Sequence, residues 1–311
     1  MTAPLILFTS AALIGTLARL PRGPTVSLWK PVPALALAAV VVVLLSACSS
    51  GEPDSGSHSD GHAVSSAEME HIHGIGVDPE DGAVYAATHY GLFRIVDGRA
   101  TRVADRVQDF MGFSVAGPDH FLASGHPGEG QGGPGSVGLI ESDDAGETWK
   151  PPSLSGEADF HALEYRHGRA YGLNSMTGQL LVSSDLKSWE ELSRTPIADF
   201  AVSPTDPDVL LATTEQGPAR SADGGRTFET LTAPLMVFVS WAEDGTLAGV
   251  TPDGVVYTAE DPAGEWSKAG SLDGQPEALT VQSANAIYAA ANGTVLLSTD
   301  GGGTFANLLT E

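Results

Sequence analysis

The chain has 311 residues, a net charge of −24 and a single cysteine. That charge excludes nucleic acid as a partner, because phosphate binding relies on Lys and Arg, and it argues against adhesion to an anionic bilayer by charge alone. One cysteine leaves nothing for disulfides or thiolate metal ligands, so a chain with 42% hydrophobic residues must be held by its core.

The first residues do not read as fold. An apolar run, Ala34 to Leu45, follows Arg19, Arg22 and Lys30 and ends in Leu45-Ser46-Ala47-Cys48. A charged flank before a short apolar core is a signal peptide, and the run after Pro33 is short for a membrane span. Residues 1–47 are therefore expected to be a leader. The extra apolar stretch at 4–18 suggests a true start near Val26. The ending resembles the bacterial lipobox, in which the cysteine is lipidated. That resemblance implies a lipid on Cys48, anchorage to the membrane and a place on the extracytoplasmic side. Residues 48–68, mostly Ser, Gly, Asp and His, have almost nothing to bury and read as a flexible tether. His58 and His62 in it are solvated linker or a metal-capturing tract.

From residue 69 to 311 short strand patterns alternate with turn signals. The first four strands are expected at His71–Val77, Ala83–Thr88, Gly91–Val96 and Ala100–Val103. Later units begin at Phe110, Phe160 and Phe200, near Val237 and near Ala278, and the last strand is expected at Thr304–Leu309. Asp78-Pro79-Glu80-Asp81-Gly82 and Ser203-Pro204-Thr205-Asp206-Pro207 separate strands within units.

An octet of the form S-x-D-x-G-x-T-W/F punctuates these units. It occurs at Ser142, Asp144, Gly146, Thr148 and Trp149; at Ser221, Asp223, Gly225, Thr227 and Phe228; and at Ser298, Asp300, Gly302, Thr304 and Phe305. An Asp carboxylate can accept N–H groups inside a tight turn, Gly supplies a positive φ, and the aromatic starts the next strand and packs inward. Weaker copies contain Asp185 and Asp261, so the aspartates 144, 185, 223, 261 and 300 are spaced by 41, 38, 38 and 39. A period of about 40 with short strands is one four-stranded propeller blade. A sixth turn, Val96-Asp97-Gly98, lies 47 before Asp144, the excess falling in the Gly-rich segment Gly128–Gly135. The fold expected is all-β: a six-bladed β-propeller of four-stranded antiparallel blades, with a seven-bladed ring as the alternative.

The octets resemble the Asp-box (BNR) repeats of the β-propeller superfamily that includes the sialidases, and the chain is similar to bacterial exported proteins described as sialidase-like or glycosyl-hydrolase-like. The resemblance implies Asp-box turns on the face opposite the ligand site. It does not carry sialidase activity across. The arginine triad and the Arg-Ile-Pro motif of that family have no match, Leu92-Phe93-Arg94-Ile95 lacking the proline.

On the presumed ligand face, inner-strand starts align His73, Met111 and His161. The second-to-third-strand loops of the first two blades add His89 and His126, and His71, two before His73, is expected to point the same way. Repeat architecture does not require histidines in one half of a ring. Imidazole with thioether suits copper and imidazole alone suits zinc; copper is the metal favoured on this set. Asp109 and Asp159 could hold the second nitrogens of such ligands, but Asp-Phe recurs at Asp109, Asp159 and Asp199, which assigns them to the repeat. The rival reading is a glycosidase with two carboxylates among Glu215, Asp253 and Glu277; a third is an assembly or scaffold protein. The expected partners are the membrane, through Cys48, and a protein or glycan on the ring face. The propeller is read as a monomer.

Overall fold

The computed structural model describes residues 63–64, 69–128 and 130–310. The leader, Cys48, His58 and His62 lie outside the described residues. The described chain is a six-bladed β-propeller with four antiparallel strands per blade. The innermost strands are Ile72–Val77, Asp109–Gly117, Phe160–Arg166, Phe200–Val202, Phe238–Trp241 and Pro276–Ser283. They contact one another in that order, and the last returns to the first.

The core is six slabs rather than one centre. Each cluster of buried side chains straddles two neighbouring blades: Phe93 and Ile95 with Ala278 and Val295, Tyr85 with Phe113 and Phe121, Leu122 with Phe160 and Ala170, and so on around the ring. A blade buries both faces of its sheet, so its middle strands read as continuous apolar runs such as Val84–Thr88, buried throughout.

The octets form one repeated turn. Ser142 Oγ donates to Asp144 Oδ1 at 2.8 Å and accepts from Gly146 N at 2.9 Å; Thr148 N and Oγ1 donate to the two Asp144 oxygens. The same bonds recur around Asp223 and Asp300. Gly146, Gly225 and Gly302 have φ of 90°, 88° and 86°, conformations that a Cβ resists. Each turn joins a third strand to a fourth, which places it on the rim opposite the second-to-third-strand loops. The last strand is shorter than expected, Ala306–Asn307, because Thr304 is committed to the Asp300 turn.

Among the described residues, ring closure uses no shared strand. All four strands of blade six come from residues 276–307, while Ala63–Val64 pairs with the outer strand of blade one. Blade six is joined to blade one by side chains: Glu277 accepts from Ile72 N at 3.1 Å, while its other oxygen takes Gly293 N of its own blade at 3.0 Å, and Thr280 Oγ1 donates to Ile75 O at 2.7 Å. Thr310 N donates to Gly98 O at 2.9 Å beyond the last strand. Comparable side chains staple the other blades along the channel. Ser114 takes Tyr165 N, Glu164 takes Val202 N, Asp199 takes Val239 N and Ser240 takes Val281 N. Between blades one and two the middles of the inner strands approach closely, a Cβ on Gly76 falling 2.4 Å from a Val115 methyl, and Asp78 takes Asp119 N beyond them.

Candidate metal centre

One backbone device explains why the inner-strand starts carry chemistry. At the start of four inner strands the register against the second strand slips by one residue, between Ile72 and Gly74, Phe110 and Gly112, Phe160 and Ala162, and Pro276 and Ala278. The residue skipped each time is His73, Met111, His161 and Glu277. A bulge leaves that residue out of the ladder and re-aims its side chain, here at the rim where the second-to-third-strand loops return.

Three imidazoles of blade one meet there. His73 Nε2 and His89 Nε2 stand 3.3 Å apart, and the His71 ring is edge-on to His89 with centroids 5.1 Å apart. His71 reaches this contact by a different route from the one expected. It precedes the strand and has φ of 56°, so strand alternation does not set its direction. Asp109 takes His89 Nδ1 on one oxygen at 2.6 Å and His126 Nδ1 on the other at 2.9 Å. A carboxylate oxygen accepts, so both imidazoles carry a proton on Nδ1 and in their neutral form present Nε2 as a lone pair. One donor atom each from His73, His89 and Asp109 lies within 4.8 Å of the others.

A second carboxylate continues the chain. Asp159 Oδ2 accepts from His161 Nε2 at 2.8 Å and Ser175 Oγ at 2.9 Å, and lies 3.6 Å from His126 Nε2. Met111, two residues after Asp109 and half-buried like it, occupies the same end of its strand. His71, His73, His89, His126 and His161 thus belong to one connected group, linked by Asp109 and Asp159. Recurrence of Asp-Phe pointed to repeat structure for these aspartates; only Asp199 is confined to it, taking Val239 N. Nothing in the one-dimensional pattern separates Asp109 from Asp199, because the difference is the loop histidine that each meets.

The electrostatics favour a neutral ring at the centre. Burial, then the neighbouring His89, pushes His73 down to about 4, so it stays neutral. His161 is raised by its hydrogen bond to Asp159. Burial raises Asp159, but the bonds from His161 and Ser175 outweigh it and hold the carboxyl below its ordinary value.

The three acids considered for glycan chemistry do not form such a group. Glu215 and Asp253 lie in exposed turns of blades four and five, Asp253 accepting from Thr251 Oγ1, and Glu277 is engaged by two backbone N–H groups. Two acids not singled out from the sequence line the central channel instead, a cavity of about 450 Å³. Burial raises Glu164, which pairs with Arg166 Nε at 2.8 Å, and burial raises Asp199 to about 7. Four large hydrophobic side chains exposed on the histidine rim, Tyr90, Val107, Met176 and Leu235, are 43–58% accessible.

No protein family and no curated protein matches this sequence. Solved β-propellers match its fold. A gluconolactonase from Xanthomonas campestris aligns with a TM-score of 0.58 at 12% identity, over 71% of this chain and 83% of that one. A propeller in a nidogen/laminin complex aligns at 0.56 and 12%, over 73% and 93%. A GH74 xyloglucanase from Xanthomonas campestris aligns at 0.51 and 16%, over 77% of this chain, which spans only 45% of the enzyme. Identities this low show the propeller fold alone.

Proposed function

We propose that this protein is a binding propeller whose histidine rim holds a divalent transition metal through His73 and His89, with Asp109 orienting His89 from behind. The observation that carries this is the 3.3 Å between the two Nε2 atoms. Two nitrogens about 2.0–2.1 Å from one tetrahedral ion stand about 3.3 Å apart, whereas right-angled ligands of tetragonal copper(II) would stand about 2.9 Å apart. The spacing therefore supports zinc ahead of copper(II), and Met111 remains the feature that speaks for copper. The exposed Tyr90, Val107, Met176 and Leu235 supply apolar surface around the centre for a protein or glycan partner. The same reading takes the octets as Asp-boxes and the leader, with lipid on Cys48, as the means of export and membrane attachment.

The test is zinc and copper content of the full chain, purified without a polyhistidine tag and dialysed against each ion. A zinc equivalent present in the wild type and missing from both His73→Ala and His89→Ala supports the reading; zinc absent from the wild type, or a zinc content unchanged in both variants, ends it. Asp109→Asn should weaken binding about 10–100-fold, because an amide cannot accept from both Nδ1–H groups.

A glycan-processing reading draws on Asp199, whose carboxyl near 7 beside Glu164 in the channel has the protonation a general acid needs. Turnover of aryl glycosides that disappears in Asp199→Asn would favour it.

A further inference from the structure

We infer that the rim holds a second metal position, between His126 Nε2 and the Asp159 carboxylate, coupled to the first through Asp109. This rests on the metal reading of His73 and His89. Asp109 is the reason for a pair. Its two oxygens fix two imidazoles in the same tautomer, and the lone pairs so created point to different partners: His89 Nε2 to His73, and His126 Nε2 to Asp159. One orienting carboxylate serving a single ion would need only one of these contacts.

The His126–Asp159 gap has the form of a site for a cation. Nitrogen and oxygen stand 3.6 Å apart, too far for a hydrogen bond. With Nδ1 engaged by Asp109, His126 turns its Nε2 towards this carboxylate oxygen. Donors about 2.0–2.2 Å from a tetrahedral ion stand about 3.3–3.5 Å apart, so a few tenths of an ångström completes the geometry. Asp159 is held for this role. Its side chain is 8% exposed, and His161 and Ser175 clamp Oδ2. Its other oxygen is buried with no hydrogen-bond partner. A buried carboxylate oxygen left unpaired is costly, and charge from a divalent ion on the same carboxylate would offset that cost. His161 is then a positioning residue and not a ligand.

The experiment is zinc stoichiometry by equilibrium dialysis and elemental analysis of the full chain. The wild type is expected to bind two equivalents. His126→Ala and Asp159→Asn should each bind one, which also reports that the variant is folded; the double variant His73→Ala/His89→Ala should keep the other. A wild type with one equivalent, unchanged in His126→Ala and Asp159→Asn but lost with His73 and His89, overturns the second position and leaves the first standing. Zero equivalents in the wild type removes both readings.

Discussion

Asp199 shows how much one side chain's surroundings decide. Its neighbours in the repeat, Asp109 and Asp159, meet imidazoles; Asp199 meets the N–H of Val239 and the charge of the half-buried Glu164. Burial raises its carboxyl from 3.8 to about 7. Between those values the native protein keeps a proton that the unfolded chain has lost, so stability falls as pH rises from about 4 to 7 and is level above. Asp199→Asn keeps an oxygen for Val239 N but cannot ionise. Urea unfolding should show the variant gaining on the wild type at pH 8 relative to pH 4; an equal difference at both values would mean that Asp199 does not titrate this way. The octet aspartates run oppositely: Asp223 and Asp300, held to about 2 by their turn bonds, contribute stability above pH 4 that is lost as pH falls towards 2.

At the scale of the strand, the bulges matter more than the turns. The octets are local: each closes on its own Ser, Asp and Thr, which is why eight residues suffice to recognise them. The bulges depend on the neighbouring blade. At the second, Gly112 follows the skipped Met111 and faces Phe160 of blade three, where a Cβ would meet Phe160 O at 2.4 Å. Gly112→Ala should destabilise the protein by about 1–3 kcal/mol through overpacking and shift the Asp109 end of the strand. Gly132→Ala, with nothing within 4 Å of its Cβ, is the neutral comparison. Denaturation midpoints of the two variants check this, and equal midpoints would contradict the close-approach argument.

For the whole molecule the question is how a ring stays closed when no strand among the described residues is shared. Six inter-blade slabs provide the apolar contribution, and polar staples near the channel set the register. The joint between blade six and blade one carries the long-range cost of closure, and Glu277 accepts Ile72 N across it while its second oxygen is anchored by Gly293 N of its own blade. Glu277→Gln offers one oxygen where two are used, and should lower stability by about 1–3 kcal/mol. Glu215→Gln, in an exposed turn, should change it by no more than about 0.5 kcal/mol. If the thermal midpoints of these two variants coincide, Glu277 is not part of the closure.

The division between what was legible and what was not follows the range of the interactions. The sequence by itself determined the blade count, because the Ser142, Ser221 and Ser298 octets are short-range motifs whose bonds lie within eight residues. It also determined the rim on which His73, His89, His126 and His161 lie, because strand direction alternates. Only the tertiary structure decided that Asp109 and Asp159 join those imidazoles, that His71 turns in through a positive φ, and that Glu277 closes the ring. Each of those outcomes depends on loop and blade geometry that places partners up to 205 positions apart in contact, and no local pattern encodes an approach of a few ångströms between separate blades.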